Sequence, residues 1–167
     1  MKSILRELEH QNEVVLASKI KKVLATETPD EWKKDYPQIK SWGRMTTEIL
    51  EDEFPWFLKA RVKDAEIEYE DGFLAWKTGI WKGGTWKDGR WEGGTWKNGI
   101  WKNGLWEDGV WEDGVWKSGT WSTGIWNDGI WEDGIWERGY WLDGTWEKGK
   151  ILNKKTRKYE PSKTPPL

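Results

Sequence analysis

The chain has 167 residues, about the length of one domain, with 27 basic and 29 acidic residues, a formal net charge of −2 and 15% aromatic content. It has no cysteine, which excludes disulfides and thiolate chemistry. No signal-peptide pattern or eighteen-residue apolar run occurs, so a cytoplasmic protein, or a virion component assembled in the host cytoplasm, is expected, with no membrane partner.

Residues 1–59 read as a helical docking and cap region. Ile4, Leu5, Leu8, Val15, Leu16, Ile20, Val23 and Leu24 recur at helical spacing with charges between them. Thr28-Pro29-Asp30-Glu31 is a helix start, with Thr at the cap, Pro at the first helical position and Glu three after the cap. Thr46 or Thr47 opens another helix through Ile49, Leu50 and Phe54, which Pro55 ends. Trp32, Trp42 and Trp56 supply the small core of this cap.

From Val62 to Tyr69 the apolar period changes to two, and Asp71-Gly72 turns the chain into Phe73-Leu74-Ala75-Trp76. Residues 60–75 are therefore an entry strand and hairpin.

From Trp76 the chain reads W-x-x-G-x for fifteen consecutive pentads, ending at Lys150. They hold fifteen of the 18 tryptophans, and their fourth positions hold fifteen of the 19 glycines, so an internal repeat dominates the fold. A straight strand would send Trp at i and i+5 to opposite faces, so each pentad must bend. The bend falls at x-Gly, where x is Asp or Asn in eight pentads and Gly in two. Asp-Gly and Asn-Gly also signal hairpins, but a meander of three-residue strands would leave backbone groups unpaired in every repeat. A corner instead of a reversal lets each x-W-x segment bond to coils above and below, which is a β-solenoid. Lys and Glu flank Trp on the opposite face and are rarely buried, so Trp points inward. The core is expected to include Trp81, Trp101, Trp106, Trp111, Trp116, Trp121, Trp126 and Trp131, with corner glycines Gly99, Gly104, Gly109, Gly114 and Gly129.

This repeat resembles the pentapeptide-repeat family, a right-handed quadrilateral solenoid whose large central residue and a small residue two before it face inward. Trp and Gly occupy those places here, as in Gly79 with Trp81 and Gly99 with Trp101. The family favours Leu or Phe with Ala, and indole plus hydrogen roughly conserves that volume. Weaker likenesses are to MORN and choline-binding repeats, which have longer periods. The resulting expectation is an α+β chain, mainly β with an α-helical amino-terminal part: a right-handed β-solenoid over residues 76–152 with about four pentads per coil. Residues 153–167 hold five basic residues, one acidic residue and three prolines and are expected to be disordered or partner-bound.

Catalytic constellations are not evident. His10 is the sole histidine, and no phosphate-loop pattern occurs, so catalysis would need a carboxylate pair. Glu66, Glu68 and Glu70 share one strand face and could bind a hard cation, but read better as a solvated edge. A non-enzyme without cofactor or metal is expected. Under four-pentad coils, Ile100, Leu105, Val110 and Val115 ring one coil and Ile125, Ile130 and Ile135 cover three sides of the next, forming an apolar girdle for self-association or a protein partner. Under the same sorting two sides carry six basic and two acidic residues and the other two carry four and ten, placing an acidic face around Glu112, Asp113, Glu132 and Asp133. Three function classes follow. One is a structural or interaction protein in a larger assembly, since such Trp-Gly pentads look like those of bacteriophage and bacterial proteins of unassigned role. A DNA-mimic inhibitor would need a continuous acidic face, and a glycan or single-strand binding module would need exposed Trp. Nucleic acid could otherwise meet only the basic tail at Lys154, Lys155, Arg157 and Lys158.

Overall fold

The computed structural model describes residues 35–167. The chain divides into two compact units, Met1–Pro37 and Gln38–Leu167, and the whole repeat lies in the second. The helices expected over residues 1–24 and from Thr28, together with His10 and Trp32, lie outside the described residues.

The second unit opens with strand β1 (Ile39–Ser41) and helix α1 (Thr47–Glu53). The Thr46 hydroxyl caps α1 by accepting the Ile49 N–H at 3.2 Å, satisfying one of the amides that a helix start leaves free. The helix stops before Pro55, and a short 3-10 turn, Phe57–Lys59, follows. Strands β2 (Arg61–Glu70) and β3 (Phe73–Gly83) form the expected antiparallel hairpin. Asp71 and Gly72 turn it with φ of 46° and 94°. Alternation puts Ala65 and Ile67 in the core.

Beyond β3 the solenoid consists of two-residue strands, one per pentad, from β4 (Thr85–Trp86) to β16 (Thr145–Trp146). Each pairs in parallel with the strand fifteen residues away: Trp76 with Trp91, Trp81 with Trp96, Trp86 with Trp101. Fifteen residues are three pentads, so the coil is three-sided and the expectation of about four pentads per coil is corrected. The fifteen pentads make five coils. Inter-coil bonds join a donor to the acceptor sixteen residues earlier, as in Ile100 N–H to the Gly84 carbonyl and Lys102 N–H to the Trp86 carbonyl, both at 2.9 Å. This ladder resolves the parity problem that rules out a meander.

Two physical causes favour three sides. A triangle needs a sharper corner than a square, and the fourth-position glycine supplies it with φ between 102° and 132° from Gly79 to Gly144. Three indoles also close the interior: successive rings meet edge to face, with Trp106 and Trp111 6.0 Å apart at 71°. Rings one coil apart stack face to face, Trp106 on Trp121 at 4.8 Å and 7°. Both are favoured aromatic geometries. Trp76 through Trp131 are wholly buried and Trp136 nearly so, as the inward reading requires. Each indole removes about 150–250 Å² from water, roughly 4–6 kcal/mol at 25 cal/mol/Å² before entropy is charged.

The amino-terminal end of the column is closed by aromatics. Phe57 lies 6.2 Å from Trp76 and 6.0 Å from Trp81, and Trp56 meets Trp86 edge-on at 5.2 Å. At the other end Ile151 takes the next Trp place over Trp136. Within residues 153–167, expected to be disordered or partner-bound, the chain forms a strand. Strand β18 (Lys158–Ser162) pairs antiparallel with β17 (Gly149–Asn153), and the Ser162 carbonyl accepts the Trp146 indole N–H at 3.1 Å. Composition hid this because the hairpin folds onto a preformed sheet edge and needs little core of its own.

Candidate interaction surfaces

With Trp and Gly turned inward, each side of the solenoid presents two columns of side chains outward, the residues just before and just after each Trp. The first side, through Trp76, Trp91, Trp106, Trp121 and Trp136, carries Lys77, Glu92, Glu107, Ser122 and Glu137 after Trp. The second side, through Trp81 to Trp141, carries Lys82, Lys97, Glu112, Asn127 and Leu142. The third side, through Trp86 to Trp146, carries Lys87, Lys102, Lys117, Glu132 and Glu147.

This register rearranges the expected sites. Glu92, Glu112 and Glu132 do not stack in one column; they stand on three different sides, each above a lysine fifteen residues earlier. Lys77 Nζ lies 2.6 Å from Glu92, Lys97 3.2 Å from Glu112 and Lys117 2.9 Å from Glu132. Lys148 meets Asp133 at 3.2 Å, and the Asp113 carboxylate accepts its own corner's Gly114 N–H at 2.6 Å. Glu112, Asp113, Glu132 and Asp133 therefore do not form one acidic face. Charge instead changes along the solenoid axis. Residues 76–105 carry six basic and two acidic side chains, whereas residues 106–150 carry four and ten.

The apolar girdle is likewise redistributed into columns. Ile100, Val115 and Ile130 stack on the third side, and Val110 and Ile125 on the second. Leu105 and Ile135 are separated by Thr120 on the first. Ile125 and Ile130 are 37% and 40% exposed; Tyr140 and Leu142, flanking the half-buried Trp141, are more exposed at 71% and 64%.

The corner aspartates fix the bend through their side chains. In the repeat corners glycine alone takes positive φ; the preceding Asp or Asn accepts the glycine N–H through its own side chain, as Asp108 does at 2.7 Å. The strand face of Glu66, Glu68 and Glu70 is not a solvated edge. Lys40 approaches Glu66 at 4.0 Å, Arg44 bonds Glu68 at 2.9 Å, and Glu70 meets Lys77 at 2.8 Å and Arg90 at 3.0 Å. Hydrogen bonds from Arg44 hold the Glu68 carboxyl below its ordinary range. Burial pushes Glu92 up, but hydrogen bonds from Lys77 and Arg90 outweigh it and leave its carboxyl low. Among the described residues no group of three or more His, Asp or Glu is placed to hold a metal ion, and no helix is long and apolar enough to cross a membrane.

Sequence reasoning missed the Lys-to-Glu rungs because they appear only at a spacing of fifteen. The signal was present in Lys77/Glu92, Lys97/Glu112 and Lys117/Glu132, but four-pentad coils point to a spacing of twenty. No protein family, curated protein or solved structure matches this chain.

Proposed function

We propose that this chain is a non-enzymatic interaction protein, a component or accessory of a larger assembly such as a virion, whose solenoid holds columns of charged and apolar side chains at fixed spacing for protein partners. The observation that carries this reading is the division of labour within each pentad. Trp and Gly are committed to the core, while the residues flanking Trp are outward, variable and locked in register by inter-coil hydrogen bonds. A rigid display of this kind lowers the ordering cost of association. The glycan or single-strand reading loses its footing because it needs accessible indole faces, and those of Trp76 through Trp136 are buried.

The test is native size-exclusion chromatography and mass analysis of the full chain purified from its own cells, beside a variant with Glu112, Asp113, Glu132 and Asp133 all changed to Lys. A stoichiometric complex that the variant loses, and that weakens with salt, supports the proposal. A full chain that elutes alone at all salt concentrations overturns it.

A further inference from the structure

We infer that the third side of the solenoid is self-complementary and docks a second copy of this chain in antiparallel orientation, about a twofold axis lying along the strands through Val115. This rests on the interaction-protein reading above and names the partner.

The inference follows from the order of residues in two stacked columns. Before each Trp this side reads Thr85, Ile100, Val115, Ile130, Thr145, which is the same from either end. After each Trp it reads Lys87, Lys102, Lys117, Glu132, Glu147, which changes sign on reversal except at its centre. A twofold axis along the strands keeps each column facing its own copy and inverts the coil order. Ile100 then faces the second copy's Ile130, Val115 faces Val115, and Thr85 faces Thr145. Lys102 faces Glu132 and Lys87 faces Glu147, each pair occurring twice. The only like-charge contact is Lys117 with its twin, and each of these is already paired to Glu132 of its own chain at 2.9 Å. The apolar column is available for contact, since Ile130 is 40% exposed and Ile100 and Val115 are half-buried.

Neither other side passes the same operation. On the second side inversion sets Lys82 against Leu142 and Lys97 against Asn127; on the first it sets Arg90 against Thr120 and Glu92 against Ser122. The third side is also the one whose five strands form a sheet of their own, separate from the larger sheet that includes the entry hairpin. Five coils at about 4.8 Å and five residues of width at about 3.3 Å give a face of roughly 400 Å² per copy. That is about half the area of a standard interface, so the dimer is weak and concentration-dependent. Its charge pairs make it sensitive to salt.

Sedimentation equilibrium of the full chain from micromolar to millimolar concentration tests this. The expected result is a monomer–dimer equilibrium at low salt that shifts to monomer at high salt. Lys102→Glu and Glu132→Lys should each weaken self-association by about tenfold or more, because each makes two facing pairs repulsive. An equimolar mixture of the two variants should dimerise again, since both facing pairs are then opposite in charge. Lys102→Glu places a carboxylate between Lys87 and Lys117 in its own column, so the variant keeps its fold, which buried-indole fluorescence verifies. A wild-type chain monomeric at millimolar concentration, variants that associate as wild type does, or a mixture that fails to recover each overturns the inference. If the chain is monomeric yet elutes from its own cells in a stoichiometric complex, this inference alone falls and the interaction-protein reading stands.

Discussion

Trp96 stacks on Trp81 with ring centroids 5.0 Å apart and planes 6° from parallel. That single contact sets the coil at fifteen residues, and every outward relationship follows from it. Side chains fifteen apart are vertical neighbours, those five apart stand on adjacent sides, and those twenty apart share no column.

The buried indoles dominate stability. Trp111→Ala, in the middle coil, is expected to cost about 3–5 kcal/mol, and Lys102→Ala, outward and exposed, less than about 0.5. Trp141→Ala should fall between them because that ring is half-buried and carries no indole above it. Denaturant titration of the three variants gives the ranking, and equal small effects at Trp111 and Lys102 would contradict the inward assignment.

The corner glycines resist substitution for two reasons at once. A Cβ on Gly109 would lie 2.5 Å from the Gly94 carbonyl oxygen, and its φ is 126°. Gly109→Ala is expected to cost more than about 2 kcal/mol. Gly72 also has positive φ, 94°, but nothing lies within 4 Å of its Cβ position. Gly72→Ala should therefore cost only about 1 kcal/mol, the backbone contribution alone. Thermal melts of the pair separate crowding from backbone strain.

The amino-terminal aromatics shield the first coil. Phe57→Ala removes the ring beside Trp76 and Trp81, so it is expected to destabilise by about 3 kcal/mol and to raise acrylamide quenching of tryptophan emission. Unchanged quenching would mean that some other group covers those indoles.

Acid should unfold this end first. The Glu92 carboxyl lies below its ordinary range in the folded chain, so its contribution is fully present above about pH 4.3, the unfolded value, and is lost as pH falls through the lower folded value. Glu68 acts in the same direction through Arg44. Glu92→Gln should flatten the acid limb of the stability–pH curve, measured by denaturant midpoints from neutral pH downward. A limb of unchanged slope would place the titrating groups elsewhere.

Much of this architecture was legible in the residues. The five-residue period, the glycine corner and the lysines beside Trp suffice to derive a solenoid with indoles inside, and Thr46 and Pro55 mark the ends of α1. The number of sides was not legible in the period itself, because W-x-x-G-x repeats identically on a triangle or a square, and only the Lys/Glu pairs at a spacing of fifteen distinguished them. The ordering of Lys158–Ser162 was hidden for a different reason, since its partners are backbone groups of β17 and no side-chain pattern announces them. The candidate surfaces inherited the error in side number. Ile100 and Ile130 both face outward, but they flank Val115 in one column and do not lie in separate rings. Indole hydrogen bonding was also invisible to composition. Trp111 donates to the Asp128 carbonyl at 3.1 Å, while Trp96 points its N–H at the equivalent corner, 3.3 Å from the Cβ position of Gly114, without completing a bond.

The interior of this solenoid counts in fives, whereas its exterior counts in fifteens. Removing one pentad, such as residues 106–110, would leave every remaining Trp and Gly a place in the core. It would also rotate all downstream side chains onto the neighbouring side, so that the Lys117–Glu132 rung would no longer share a column with Lys102. Gain or loss of single repeats is thus nearly silent for folding and disruptive for recognition. Only a change of three pentads preserves both, so lineages that lengthen or shorten the solenoid while keeping a partner should do so by whole coils.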